Sequence, residues 1–199
     1  MGLNFDYQIG QTPLSEEEKE GLRVGSITTR QDLDEFEQQN IDKAIERLAG
    51  KKFKVEKLLT ERFVKDLHRE MFGDVWTWAG EFRRSDKSIG VDWRIISVEI
   101  KKLLDNCYYW LDNKIFSEEE IAIRLSHGLV KIHPFVNGNG RHSRLIADVM
   151  MEKIFYKDIF SWGKLDLESI NNERSRYIVA LRKADEGDYN CLLTFAQGQ

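Results

Sequence analysis

His133-Pro134-Phe135-Val136-Asn137-Gly138-Asn139-Gly140-Arg141-His142-Ser143-Arg144 is the stretch from which the rest of the chain can be read. Pro134 closes the helix before it, because a proline disfavours helical geometry in its preceding neighbour. Beyond Gly140, Leu145, Ile146, Val149, Met150 and Ile154 recur on one face and predict a second helix. Between the two, Gly138 and Gly140 admit backbone angles closed to other residues, so consecutive amides can turn inward as a nest for an anion. That nest falls at a helix N-terminus, whose partial positive charge favours anions. Arg141 and Arg144 stand three residues apart on the first turn. Cations there oppose the helix dipole by roughly 0.3 to 1 kcal/mol each. Two of them therefore point to a bound negative group, either a carboxylate from elsewhere in the chain or a polyphosphate, which fits the geometry better. His133, just upstream, carries a side chain whose ordinary pKa of about 6.5 suits a general base near neutrality. Singly, each feature has an ordinary structural reading as helix end, turn or solvated face; the combination does not.

The remainder of the 199 residues is an ordinary globular composition, 41% hydrophobic and 32% charged, enough for one domain with a sizeable core. A net charge of -4 gives no general affinity for nucleic acid, so phosphate binding is expected only at the motif. Cys107 and Cys191 both lie in apolar-periodic contexts, which predicts reduced buried thiols and a cytoplasmic setting. The N-terminus lacks the pattern of a signal peptide, and no apolar run approaches the ~20 residues that cross a bilayer.

Long helical periodicities dominate. Helices are expected over Asp32 to Leu48, over Thr60 to Met71, from Ser97 as a cap through Leu111, and from a Ser117/Glu120 capping box through Ile132. Two more follow at about Leu167 to Ala184 and Tyr189 to Phe195. A single all-α helical bundle is the economical fold. Gly80 to Ile96 breaks the pattern, with Gly80, Ser85, Ser88 and Gly90 among Phe82, Ile89, Val91 and Trp93, and reads as a small β-hairpin or extended flap. An exposed strand edge can capture an extended peptide through main-chain hydrogen bonds.

The twelve-residue segment resembles the signature of the Fic (Fido) family, H-P-F-x-D/E-G-N-G-R-x-x-R, at every defined position except Asn137. The resemblance covers roughly residues 60–195. It implies a helical domain that transfers AMP from ATP to a hydroxyl side chain of a target protein, with magnesium or manganese accompanying the nucleotide. On that likeness His133 is the base, and Gly138, Asn139 and Gly140 form the anion hole. Arg141 and Arg144 hold the outer phosphates. Tyr177 lines the adenine pocket, and the flap residues Ser88, Ile89, Gly90 and Val91 dock the target segment. Asn137 stands at the metal position as a weak ligand, because an amide oxygen is neutral and magnesium prefers carboxylate and phosphate oxygens. The Doc-like branch, which phosphorylates its target, carries a lysine in place of Gly140 and lacks the final arginine, so this chain resembles it less.

The N-terminal stretch Ser15-Glu16-Glu17-Glu18-Lys19-Glu20-Gly21 is similar to the family's inhibitory motif S/T-x-x-x-E-G/N, with the serine one residue too far away. It makes Glu20 the candidate brake on Arg144; equally, Ser15 and Glu18 form a capping box on a short acidic helix. Together with Gly25 to Arg30, this piece also resembles the bacterial mobile mystery protein B subfamily. The expected organisation is an N-terminal segment at 1–30 with the inhibitory helix, then a Fic-like domain at 31–199. The expected partners are ATP and a protein bearing Ser, Thr or Tyr, the chain itself included, with no nucleic acid and no membrane; oligomeric state is left open. The alternative is a Fic fold of weak or lost turnover that binds nucleotide or partners, or one that transfers another phosphate-containing group.

Overall fold

The computed structural model describes residues 13–163 and 170–198. The helices are α1 (Glu16–Lys19), α2 (Arg30–Ala49), α3 (Val55–Leu58), α4 (Glu61–Phe72), α5 (Ile96–Asp112), α6 (Glu118–Ile132), α7 (Asn139–Lys153), α8 (Ile170–Asp185) and α9 (Asn190–Gln197). Side-chain oxygens of Ser15, Thr29, Thr60 and Ser117 cap α1, α2, α4 and α6 by accepting amides of the first turn. Each such cap is worth about 1 kcal/mol. At α6 only half of the expected box forms. The Glu120 carboxylate turns instead to Arg124, at 2.8 and 2.9 Å. Ser97 is inside the first turn of α5 and does not cap it; a 3-10 turn over Trp93–Ile95 leads directly into that helix. The start of the expected Leu167 helix lies outside the described residues.

α6 runs through the middle of the bundle, packed on α5 and α7, while α2 packs on α4, α4 on α7, and α8 on α9. Its residues Ile121, Ala122, Ile123, Leu125, Leu129 and Ile132 are all buried, which explains an apolar band wider than a surface helix would show. Leu67 and Met71 of α4, Ile146 and Met150 of α7, and Phe135 between α6 and α7 join the same core. Full burial of such side chains contributes roughly 1.5 to 3 kcal/mol each. The chain's N-terminal part joins this core through Leu14 and Ile27. It is stitched to the segment after α4 by an antiparallel bridge between Leu22 and Trp76 and by Thr77 N–H to Gly21 O at 2.8 Å. Cys107 is buried as expected, but Cys191 is exposed: it sits on the outer side of short α9.

The expected β-hairpin is not formed, and residues 80–92 contain no strand. Its donors and acceptors go elsewhere. Arg83 N–H and Val91 N–H donate to Pro134 O at 2.9 Å and Ile132 O at 3.2 Å, and the Arg83 guanidinium takes the carbonyls of Ser85 and Val91. The flap is thus docked on the turn at 132–134 instead of zipped to itself. Among the described residues no helix is long and apolar enough to cross a membrane.

Candidate active site

His133 is the C-cap of α6, in a left-handed conformation (φ 54°, ψ 59°) with its N–H donating to Leu129 O at 3.0 Å. A non-glycine residue adopts that geometry at a cost, and it turns the side chain out of the helix line into the space beneath the flap. Its imidazole is largely enclosed. Burial lowers the His133 pKa to about 4, with Arg83 and Lys87 adding to the shift and a hydrogen bond to the Val130 backbone opposing it. The ring is therefore neutral at physiological pH and able to accept a proton.

The turn after His133 is braced from several sides. Phe135 is fully buried and stacks on His68 of α4, with centroids 3.7 Å apart. His68 Nδ1 accepts the Gly80 N–H at 3.0 Å, so its Nε2 carries the proton it donates to Asn137 O, also at 3.0 Å. Burial holds His68 well below its ordinary pKa, as a neutral strut. The Asn139 side chain accepts from Phe135 N at 2.9 Å and donates to Phe135 O at 2.8 Å. The carboxamide of Asn139 thus locks the loop, which leaves its backbone amide for the expected anion hole.

Of the two glycines only Gly138 is left-handed, at φ 78°, where a Cβ would stand 2.5 Å from Phe72 Cζ. Gly140 is already within α7 in helical geometry, and nothing lies within 4 Å of where its Cβ would be. Glycine here keeps the approach to the helix N-terminus clear. The amide of Gly138 donates to Asn137 Oδ1 at 2.7 Å, so the chain's own carboxamide occupies one donor of the expected nest. Arg141 Nη2 meets the buried carboxylate of Glu37 at 2.6 Å, and its guanidinium lies 4.9 Å from the centroid of the Phe72 ring. Arg144 lies 5.4 Å over the ring of Tyr177, which brings the adenine candidate on α8 to the phosphate side of α7. Burial lowers the pKa of Arg174, also on α8, with the charges of Arg144, Arg30 and Arg141 adding to the shift and Asp34 opposing it, so four arginines gather at this end of the bundle, two of them paired with Asp34 and Glu37.

Glu20 is exposed beyond the end of α1, and no ion pair joins it to Arg144 among the described residues. The reason is that α1 is held elsewhere. Glu18 O accepts the Trp78 indole at 3.0 Å, and the Glu18 carboxylate pairs with Lys87 of the flap at 2.5 Å. Ser88, Ile89 and Gly90 form the exposed rim of the flap, with Val91 turned partly inward.

Residues 58–151 match the model of the Fic/DOC family. The chain carries a Fic/DOC-family domain. It is 30% identical over 146 residues to the protein adenylyltransferase Fic of Drosophila virilis, covering 71% of this chain and 28% of that protein. To the Aedes aegypti protein adenylyltransferase Fic it is 28% identical over 141 residues, covering 69% and 27%. The chain thus spans little more than a quarter of the length of these relatives. Its fold is similar to that of Fic-1 from C. elegans, with a TM-score of 0.65, 21% identity, and coverage of 94% and 55%. It is also similar to BepC from Bartonella tribocorum, a structure with bound AMPPNP, with a TM-score of 0.63, 17% identity, and coverage of 90% and 95%.

The Fic signature brings together its glycines, its arginines and His133, and the fold adds three residues that motif reading missed. Glu37 neutralises Arg141, His68 supports the loop, and Arg83 ties the flap to His133. Glu37 had a legible signal, since it occupies a core-facing position of α2 in register with Leu33, Asn40, Ile41 and Ala44, where a carboxylate needs a partner.

Proposed function

We propose that this domain transfers AMP from ATP to a hydroxyl side chain of a protein, as the names of its relatives suggest. The observation that carries it is the neutral His133 set in a left-handed cap ahead of an open, arginine-flanked helix N-terminus at Gly140. The amides at the start of α7, with Arg141 and Arg144, hold the phosphates, and Tyr177 borders the base. A Ser, Thr or Tyr hydroxyl presented along Ser88 to Val91 gives its proton to His133. Its oxygen bonds to the α phosphorus, the bond from that phosphorus to the bridging oxygen breaks, and pyrophosphate leaves. The negative charge of bound ATP offsets Arg83 and Lys87 and makes His133 more basic during the reaction.

The residues present do not fit a protein-held metal. Asn137 Oδ1 is turned to the Gly138 amide, and no group of three His, Cys, Asp or Glu is gathered among the described residues. Magnesium or manganese enters this proposal as the counter-ion of ATP, a part of the substrate. The free cysteines suit the reducing cytoplasm. A second reading, a module that binds nucleotide with little turnover, draws on the same two contacts, Asn137 on Gly138 and Glu37 on Arg141, which already engage groups an ATP would need.

Incubation with α-labelled ATP, magnesium and cell lysate separates the two. Transfer of label to protein, itself included, that disappears in His133→Ala supports AMP transfer. Label that survives His133→Ala sinks the assigned base, and ATP binding without label in any variant supports the module. Glu20→Gly is expected to leave the labelling unchanged, because Glu20 is exposed and no ion pair joins it to Arg144 among the described residues.

A further inference from the structure

Arg83 is the one arginine among the twelve largest fully buried side chains of the described residues, and its guanidinium is spent mainly on carbonyls. Its Nε donates to His133 O at 2.7 Å, Nη1 to Ser85 O at 2.7 Å, and Nη2 to Val91 O; its own backbone N–H donates to Pro134 O at 2.9 Å. The nearest carboxylate, on exposed Asp86, is 3.8 Å away. Burying a guanidinium this way is costly, and burial lowers its pKa. An apolar side chain of similar volume would fill the space, so packing alone does not select arginine.

What the fork does supply is a fixed geometry. It grips both edges of the flap, Ser85 and Val91, and the peptide of the residue that carries the imidazole. Of the two peptide units that set the left-handed turn of His133, the one after it is tied to Arg83 through His133 O, and the one before it to Val91, whose N–H donates to Ile132 O at 3.2 Å and whose own carbonyl Arg83 holds. The flap in turn lies hard against the base: a Cβ at Gly90 would stand 2.6 Å from His133 Cβ and 2.9 Å from Arg83 Nη2. Gly90, at φ 99°, is glycine on both counts.

Resting on the reading of His133 as the base, we propose that Arg83 is a positioning residue that sets the register between the flap and the His133 imidazole, so that a docked hydroxyl and its proton acceptor meet. The planar fork reaches three separate carbonyls from three nitrogens in fixed directions, whereas the three donors of a lysine diverge from one freely rotating nitrogen. Arg83 also acts on the ring electrostatically. It and Lys87, both from the flap, are the charged groups that face the imidazole and lower its pKa, while the Val130 backbone opposes them.

The test uses the full chain with Arg83→Met, Arg83→Lys and, as a backbone lever that leaves the arginine in place, Gly90→Ala. Histidine-labelled NMR reads the His133 pKa and its Cα and Cβ shifts, which report the left-handed turn. In Arg83→Met the His133 pKa is expected to rise by about one unit as a nearby cation is removed, and the Cα shift is expected to move toward ordinary values. In Arg83→Lys the charge stays and the fork is lost, so the pKa is expected to stay low while label transfer from α-labelled ATP to lysate protein falls at least about tenfold. ATP affinity is expected to hold within about twofold in both, because the Arg83 guanidinium donates to His133 O, Ser85 O and Val91 O and is not assigned to the phosphates. An unmoved His133 pKa and turn in Arg83→Met, or full transfer in Arg83→Lys, overturns the proposal. If Arg83→Met does not fold, Gly90→Ala and Arg83→Lys decide: reduced transfer with ATP affinity retained supports the register, and unchanged transfer in both overturns it. No transfer even in the unaltered chain, with the His133 turn still moving in Arg83→Met or Gly90→Ala, would remove the enzymatic reading while leaving Arg83 as the residue that positions His133.

Discussion

The carboxylate of Glu37 holds Arg141 at 2.6 Å with one oxygen and accepts the Trp76 indole at 2.6 Å with the other. Glu37 is fully buried, Trp76 likewise, and the two come from segments 39 residues apart. A signature arginine is thereby tied to α2 and to the segment after α4 before any ligand arrives. Glu37→Ala strands Arg141 and the indole together, and breaking such a buried pair costs about 3 to 5 kcal/mol. Glu37→Gln keeps hydrogen-bonding capacity on both sides and should cost less. Calorimetric melting checks this, and a Glu37→Ala protein as stable as the unaltered chain would mean that the pair contributes nothing.

The two glycines of the loop should respond oppositely to alanine. Gly138→Ala forces a side chain into left-handed geometry and against Phe72, and a loss of about 1 to 3 kcal/mol is expected. Gly140→Ala sits in helical geometry with open space around it, and alanine in a helix is favoured by roughly 0.5 to 1 kcal/mol. Its melting temperature should hold or rise while ATP binding weakens, since the new methyl projects into the approach to the α7 amides. Urea unfolding paired with an ATP titration reads both effects, and a destabilised Gly140→Ala would contradict the helical assignment.

All four histidines have pKa values lowered in the folded chain: His133 and His142 to about 4, His68 well below 6.5, and His127 less so despite Asp185. Burial is the first cause in each case. Below pH 6.5 the unfolded chain takes up protons that the folded chain refuses, so stability present above that pH is lost as pH falls toward about 4. For fully buried His142 the loss is on the order of 3 kcal/mol. Unfolding free energies at pH 7.5 and 5 should differ in that sense, and His142→Asn should flatten the difference.

The helices were legible because their apolar positions recur at helical spacing over three or more turns, and the signature because it is contiguous. The flap was not: whether Ser85 O and Val91 O face a partner strand or a guanidinium depends on where Arg83 lies in space, which no local pattern encodes. Glu20 looked like the counter-charge of Arg144 through spacing alone, yet the docking of Glu18 on Trp78 and Lys87 decides where α1 sits. The need for a counter-charge at the signature arginines was readable; its source in Glu37, 104 residues from Arg141, was not.

Asn137 is the position where sequence and chemistry diverge most, and Asn137→Asp tests it directly. In the folded chain its Oδ1 accepts the Gly138 N–H at 2.7 Å, a bond a carboxylate would make at least as well, so the loop should keep its shape. A carboxylate also gives magnesium the hard, charged oxygen that the amide lacks. Magnesium-dependent label transfer should therefore rise on the order of tenfold, equivalent to about 1.4 kcal/mol of transition-state stabilisation. The same charge repels phosphates when no cation stands between them, so ATP binding in excess chelator should weaken. The two effects have opposite signs and one cause. A variant that transfers no faster with magnesium and binds ATP equally well in chelator would place residue 137 outside the nucleotide's electrostatic reach.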